Sequence, residues 1–185
     1  MPFNHFDLIA GCYDRAGTFN LSETFLEYLS LSSDNLLLDA GGGTGRVALA
    51  LRVLVREVFV ADVSRGMLRR AAMKGLAAVN SPAESLPFPP ESINRVVMLD
   101  ALHHVINQYL TIKELWRVLA PGGRIVIIEP DIDKLVTKLI ALIEKILMMR
   151  SHFLSGEKIR ALFFYLDATI HLFKDGSNVI LIVEK

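Results

Sequence analysis

Apolar residues along this chain follow two patterns. Short uninterrupted runs occur at Leu36–Leu38, Val58–Ala61, Val96–Leu99 and Ile125–Ile128. Between them, apolar positions recur every three or four residues. Strands that are apolar throughout are buried on both faces, and a helical period between them marks crossover helices. The alternation therefore predicts an α/β domain with a mostly parallel sheet covered on both sides. NLLLDA, EVFVAD, AAVN, RVVMLD and RIVIIEP read as strands. GRVALALRVL, SRGMLRRAAMKG and YLTIKELWRVLA read as the helices that join them. Ser64 and Gly75 bracket the second helix as N-cap and C-cap, and Pro121-Gly122-Gly123 stops the third. Upstream, NLSETFLEYLSLS has helical spacing, with Asn20 and Glu23 placed as a capping box. SPAESLPFPPES is a proline-rich loop. The last segment differs: ATIHLF, KDGS and NVILIVE read as an antiparallel hairpin with Asp175-Gly176 in the turn.

Composition narrows the picture. The chain has 185 residues, which suits a single domain with a sizeable core. Hydrophobic residues make up 52% and the mean hydropathy is +0.40, high enough to imply a well-buried sheet, an apolar binding surface, or both. The formal net charge is zero, so no broad basic field and no nucleic-acid partner are expected. The one cysteine, Cys12, cannot form an internal disulfide, which fits a reducing, cytoplasmic setting. The N-terminus MPFNHFDLIAG lacks the charge and apolar run of a secretory signal. No segment reaches the roughly 18–20 apolar residues that a spanning helix needs.

The candidate chemistry starts at LLLDAGGGTGR, Leu36 to Arg46, where a buried strand ends in Asp39 and glycines follow. Side chains are lost there because something lies against the backbone. In a sheet of this kind ligands bind beyond the carboxyl ends of the strands. Gly43, Gly45 and Ala48 satisfy G-x-G-x-x-A, a dinucleotide pattern, and Asp62 at the end of the next strand suits ribose hydroxyls under any nucleoside reading. Asp39 separates the alternatives. A pyrophosphate gains nothing from a carboxylate there, whereas a cofactor with an amino group and a sulfonium does. Its plainer reading is a carboxylate that braces the loop.

LLLDAGGGTGR, VFVADVSRGMLRRA, AESLPF, ALHHV and ELWRVLAPGGRIVIIEP occur in an order that resembles class I S-adenosylmethionine-dependent methyltransferases, in particular the branch with the ubiquinone/menaquinone C-methyltransferases. FDLIAGCYD resembles that branch's opening segment. The resemblance implies a Rossmann-like, doubly wound, seven-stranded sheet of order 3-2-1-4-5-7-6 over a single domain, residues 1–185. Within it, 1–33 would be an N-terminal cap and 131–156 a substrate lid. It implies S-adenosylmethionine as cofactor and S-adenosylhomocysteine as product. Asp39 and the backbone of Gly41, Gly43 and Gly45 would hold the methionine part, and Asp62 both ribose hydroxyls. Val63 and Met67 would pack on adenine, and the Ala83 backbone would meet its edge. Asp100 and Ala101 would line the path to the methyl group, and Tyr13 would close over the cofactor.

Three departures stand out. Pro82 occupies the position where the family often has an aspartate that accepts from the adenine amino group, and proline has no acceptor to offer. YDRAG replaces the quinone branch's Y-D-x-M-N. Ala120 stands where that branch has lysine before Pro-Gly-Gly.

Methyl transfer from a sulfonium needs alignment and exclusion of water, and a general base only where the acceptor must lose a proton. His104 is the catalytic candidate; His103, Tyr13, Asp14 and Glu129 are weaker ones, and no metal-ligand set is seen. The segment DIDKLVTKLIALIEKILMMRSHFLSG carries an apolar stripe wider than one core face requires, bordered by Lys134, Lys138, Lys145 and Arg150. The stripe reads as a buried helix, an apolar acceptor pocket, or a homodimer or peripheral membrane face through 133–150. The expected function is methyl transfer to a small, apolar or amphipathic acceptor. The alternatives are an inactive cofactor-binding module and a nicotinamide-dependent oxidoreductase.

Overall fold

The computed structural model describes residues 19–146 and 151–185, without the side chains of 136, 140 and 143–146. Tyr13, Asp14, Cys12 and most of the expected 1–33 cap lie outside the described residues. The elements are α1 (Glu23–Leu29), β1 (Leu36–Ala40), α2 (Arg46–Leu51), β2 (Glu57–Asp62), α3 (Arg65–Met73), β3 (Ala77–Asn80) and β4 (Ile93–Leu99). A one-turn 3-10 helix (Leu102–His104) follows, then α4 (Gln108–Val118), β5 (Leu119–Pro130), α5 (Leu135–Ile146), α6 (Gly156–Ala161), β6 (Thr169–Asp175) and β7 (Asn178–Glu184).

Seven strands form one sheet in the order β3-β2-β1-β4-β5-β7-β6. The first five pair in parallel, and β7 pairs antiparallel with both β5 and β6. This is the doubly wound, Rossmann-like sheet with an antiparallel terminal hairpin that the motifs imply. Neighbouring residues on a strand point to opposite faces, so each strand feeds two cores. Leu38, Val96, Ile125 and Leu181 pack with Ile112 and Leu115 of α4 and Ile159 of α6. Leu37, Val97, Val126 and Ile182 pack with Phe25 and Leu29 of α1, Val47 and Leu51 of α2, and Leu68 of α3.

Local details correct the sequence reading in four places. Ser22, not Asn20, caps α1: its hydroxyl accepts from the Phe25 amide at 3.1 Å, which makes Glu23 the first helical residue rather than the third. Lys74 caps α3, and Gly75 lies one step beyond, at φ +76. The helix before Pro121-Gly122-Gly123 ends earlier, at Val118, because Leu119 already pairs with Ile93 and the glycines form an irregular entry to β5. Asp175 closes β6 opposite Asn178, so Gly176-Ser177 make the turn. Among the described residues no helix is long and apolar enough to cross a membrane.

Candidate functional site

The carboxyl ends of β1, β2 and β4 converge through the glycine loop. Each glycine there meets something different. A Cβ on Gly41 would lie 2.5 Å from the Ala101 Cβ, one on Gly42 2.4 Å from Asp39 Cγ, and one on Gly45 2.4 Å from Leu76 Cδ1. Those three are glycine because the protein itself fills the space. Gly43 is different. It has φ +56, and its nearest neighbours would be Met67 Sδ at 3.8 Å and Asp62 Oδ2 at 4.0 Å. Among the described residues, a side chain at Gly43 would meet ordinary contacts only.

The loop's amides are turned inward. Gly41 and Gly42 donate to the Ala61 carbonyl at 2.8 and 3.3 Å, and Gly45 donates to Gly42 at 2.8 Å. Gly43 donates to Asp62 Oδ2 at 2.9 Å. Those four amides are therefore engaged within the protein rather than offered to an anionic pyrophosphate.

Asp39 is 1% exposed and lies beneath the loop, where its Oδ2 accepts from the Ala48 amide at 3.2 Å. Burial pushes its pKa up to about 7. The Ala48 hydrogen bond pulls the other way, and the Asp62 charge adds to the rise. Asp39 thus braces the loop from below through Ala48. Asp62 is half-buried; its Oδ1 accepts from the Ser64 amide at 2.7 Å, which aims the carboxylate along the edge of Gly43. Val63 is 56% exposed, an apolar surface beside that carboxylate. Met67 is buried, under Gly43. Ala83 is buried in the same cluster as Ala101 and Leu102. Asp100 is exposed, at φ 52, and its amide donates to the Ile128 carbonyl at 2.9 Å. At Pro82, which is exposed, the adjacent Ser81 hydroxyl is turned into the loop toward the carbonyls of Pro82 and Ser85.

The acceptor side carries an arrangement that the sequence reading underweighted. Glu129, at the end of β5, is 3% exposed. It accepts from the amides of Ala101 and Leu102 at 2.9 and 2.7 Å and faces His103 Nδ1 at 2.5 Å. His103 is 4% exposed, its ring packed against His104 at 4.0 Å and Phe153 at 4.2 Å between centroids. His104 Nδ1 lies 3.3 Å from the Ser151 hydroxyl. Burial, with help from neighbouring His103, drives the His104 pKa down to about 3. The signal for this pair was present in the sequence: Glu129 is the one acidic residue in an otherwise apolar strand end. Among the described residues no three His, Cys, Asp or Glu side chains gather as metal ligands.

A methyltransferase-domain family model matches residues 38–127, from the end of β1 into β5. The ubiquinone/menaquinone biosynthesis C-methyltransferase UbiE of Syntrophotalea carbinolica is 32% identical over 139 residues, 67% of this chain and 59% of that protein. The chain belongs to the class I S-adenosylmethionine-dependent methyltransferases. It spans about three fifths of the length of that curated relative. Solved structures agree on the fold. A chain from the complex of the Haloferax volcanii Trm112 methyltransferase activator with a methyltransferase superposes with a TM-score of 0.85 at 16% identity, covering 100% of this chain and 99% of its own. Geranyl diphosphate C-methyltransferase of Streptomyces coelicolor A3(2), bound to Mg2+, geranyl diphosphate and S-adenosylhomocysteine, superposes with a TM-score of 0.73 at 14% identity, covering 87% and 76%. The family cofactor is S-adenosylmethionine.

Proposed function

We propose that this class I methyltransferase binds S-adenosylmethionine against Gly43 and transfers its methyl group to a small, apolar or amphipathic acceptor. The observation that carries the reading is Gly43, where an added side chain would meet no described atom closer than 3.8 Å and the amide donates to Asp62, in a loop whose other glycines are held by closer internal contacts. Asp62 would take the ribose hydroxyls. Val63 would cover one face of the adenine. Gly41, Gly43 and Gly45 would set the loop's shape, with Asp39 and Met67 supporting it from beneath. Ala83 would flank the adenine edge, and Asp100 and Ala101 would border the methyl path. When bound, the sulfonium supplies an electrophilic methyl carbon for in-line displacement.

Glu129 lies against His103 Nδ1, which orients the ring and leaves Nε2 as the nitrogen not engaged by Glu129. We therefore assign proton acceptance, where an acceptor needs it, to His103 rather than His104, whose low pKa makes it a poor base at neutral pH. Ser151 and Phe153 contact His104 and His103, which supports the reading of 131–156 as the acceptor-side lid. A cytoplasmic location goes with this reading.

A second reading, a cofactor-binding module without turnover, rests on Pro82. Incubation with methyl-labelled S-adenosylmethionine and two probes, a reduced naphthoquinone and a small polar amine, separates them. Label on the apolar probe supports the proposal. Label only on the amine contradicts the apolar acceptor, and cofactor binding without transfer to any of a broad acceptor panel supports the second reading.

A further inference from the structure

The helix α5 starts five residues after β5 ends, so it rises from the same end of the sheet as the glycine loop. Its exposed side is unlike that of any other helix described. Leu135 is 82% exposed, Leu139 59% and Leu142 54%, at the i, i+4, i+7 spacing of one stripe. Thr137, on the opposite side, is 1% exposed, so the helix rests on the domain by its other face. Lys134 and Lys138 are exposed and lie four residues apart along one flank of the stripe. Exposed Asp133 is engaged by Lys174 at 3.5 Å, and buried Asp131, bound by Lys174 at 2.9 Å, also feels the Lys134 charge. Three leucines that no described residue covers, beside two lysines, suit a partner that is apolar in the middle and anionic at the edge.

We infer that α5 is a lipid-contact helix, with its leucine stripe set among acyl chains and Lys134 and Lys138 against the phosphates of an anionic membrane surface. The inference rests on the proposed apolar acceptor, because it gives that acceptor a route from the bilayer to the site. A second copy of the chain fits less well. It would bring leucines to leucines but lysines rather than anions to the flank. A narrow stripe on one twelve-residue helix also falls far short of the roughly 1,200–2,000 Å² that stable interfaces bury. The surface is aliphatic, without the aromatic anchors typical of protein hot spots.

The test is co-sedimentation of the full chain with phosphatidylcholine vesicles, with and without phosphatidylglycerol, alongside calorimetric binding of S-adenosylhomocysteine. The expected result is pelleting with the anionic vesicles only, falling as salt rises. Leu139→Glu and Leu142→Glu should each lower partitioning roughly ten-fold or more, and the Lys134→Glu/Lys138→Glu pair should abolish the preference for anionic lipid. All these variants should bind S-adenosylhomocysteine like the parent, because the altered side chains are exposed and distant in sequence from the loop. A protein that binds S-adenosylhomocysteine but pellets with no vesicle overturns the lipid inference and leaves the methyltransferase proposal standing. Pelleting without S-adenosylhomocysteine binding does the reverse. A leucine-dependent dimer in sedimentation equilibrium, with no affinity for vesicles, assigns the face to a second copy and also overturns the inference.

Discussion

Adjacent glycines in the loop should fail in opposite ways when each is changed to alanine. At Gly43 the added methyl meets no described atom closer than 3.8 Å, so among the described residues the cost is that of the left-handed backbone at φ +56. That costs about 1–2 kcal/mol. For a domain of this size it lowers Tm by roughly 2–8 °C. The same methyl stands in the space assigned to the cofactor, so S-adenosylhomocysteine should bind at least about ten-fold more weakly, a loss of about 1.4 kcal/mol. At Gly42 the methyl would lie 2.4, 2.6 and 2.8 Å from the Asp39 carboxyl atoms. Asp39 is sealed in and tied to Ala48, so it has little room to yield, and overpacking of this kind costs about 1–3 kcal/mol before any lost hydrogen bond is added. Gly42→Ala should therefore lose stability first and affinity second. Scanning calorimetry and isothermal titration on the two variants read both quantities. If Gly43→Ala binds S-adenosylhomocysteine within two-fold of the parent, the cofactor does not lie against Gly43.

Four further outcomes follow from the same geometry. Asp39 has a folded pKa near 7 against an ordinary value of 3.8, so the folded state holds its proton longer and the parent loses stability as pH rises from about 4 to 7. Asp39→Asn keeps the acceptor for Ala48 without the charge, so its Tm advantage over the parent should grow across that window and level off above it; a flat difference would refute the buried-charge account. His104 has the opposite sign. With a folded pKa near 3 against 6.5, its contribution is present above 6.5 and is lost as pH falls toward 3, and its imidazole NMR resonances should still report the neutral ring at pH 5. Glu129→Ala leaves the Ala101 and Leu102 amides and His103 Nδ1 without their buried partner, at about 1–3 kcal/mol each, so Tm should fall by at least roughly 6 °C; a smaller fall would mean that the turn after β4 is held by other contacts. Pro82→Asp supplies the acceptor that the family places at this point and should tighten S-adenosylhomocysteine binding several-fold, about 0.5–1.5 kcal/mol; unchanged affinity would show that the adenine amino group is satisfied elsewhere.

Much of this was readable from the chain because burial on both faces of a parallel sheet leaves uninterrupted apolar runs, and because Asp39, the glycines and Asp62 mark strand ends. The sheet order came through resemblance, since periodicity alone does not order strands. The roles of individual glycines were not readable. Gly41, Gly42 and Gly45 look alike in sequence, yet each is required by a neighbour brought in from elsewhere: Ala101, Asp39 and Leu76. That Asp39 is sealed beneath the loop was not readable, because its burial depends on how the loop folds over it. The contact of Glu129 with His103 depends on the tertiary fold, since Glu129 stands 26 residues away and meets His103 only when β5 lies beside β4.

The account's central claim is tested most directly by calorimetric titration of the purified chain with S-adenosylmethionine, S-adenosylhomocysteine and NAD, repeated on Asp62→Asn. The account predicts one-to-one binding of both sulfur compounds, none of NAD, and clear weakening in the variant. Binding of NAD in their place, or no binding of either sulfur compound to a chain that melts cooperatively, would contradict it.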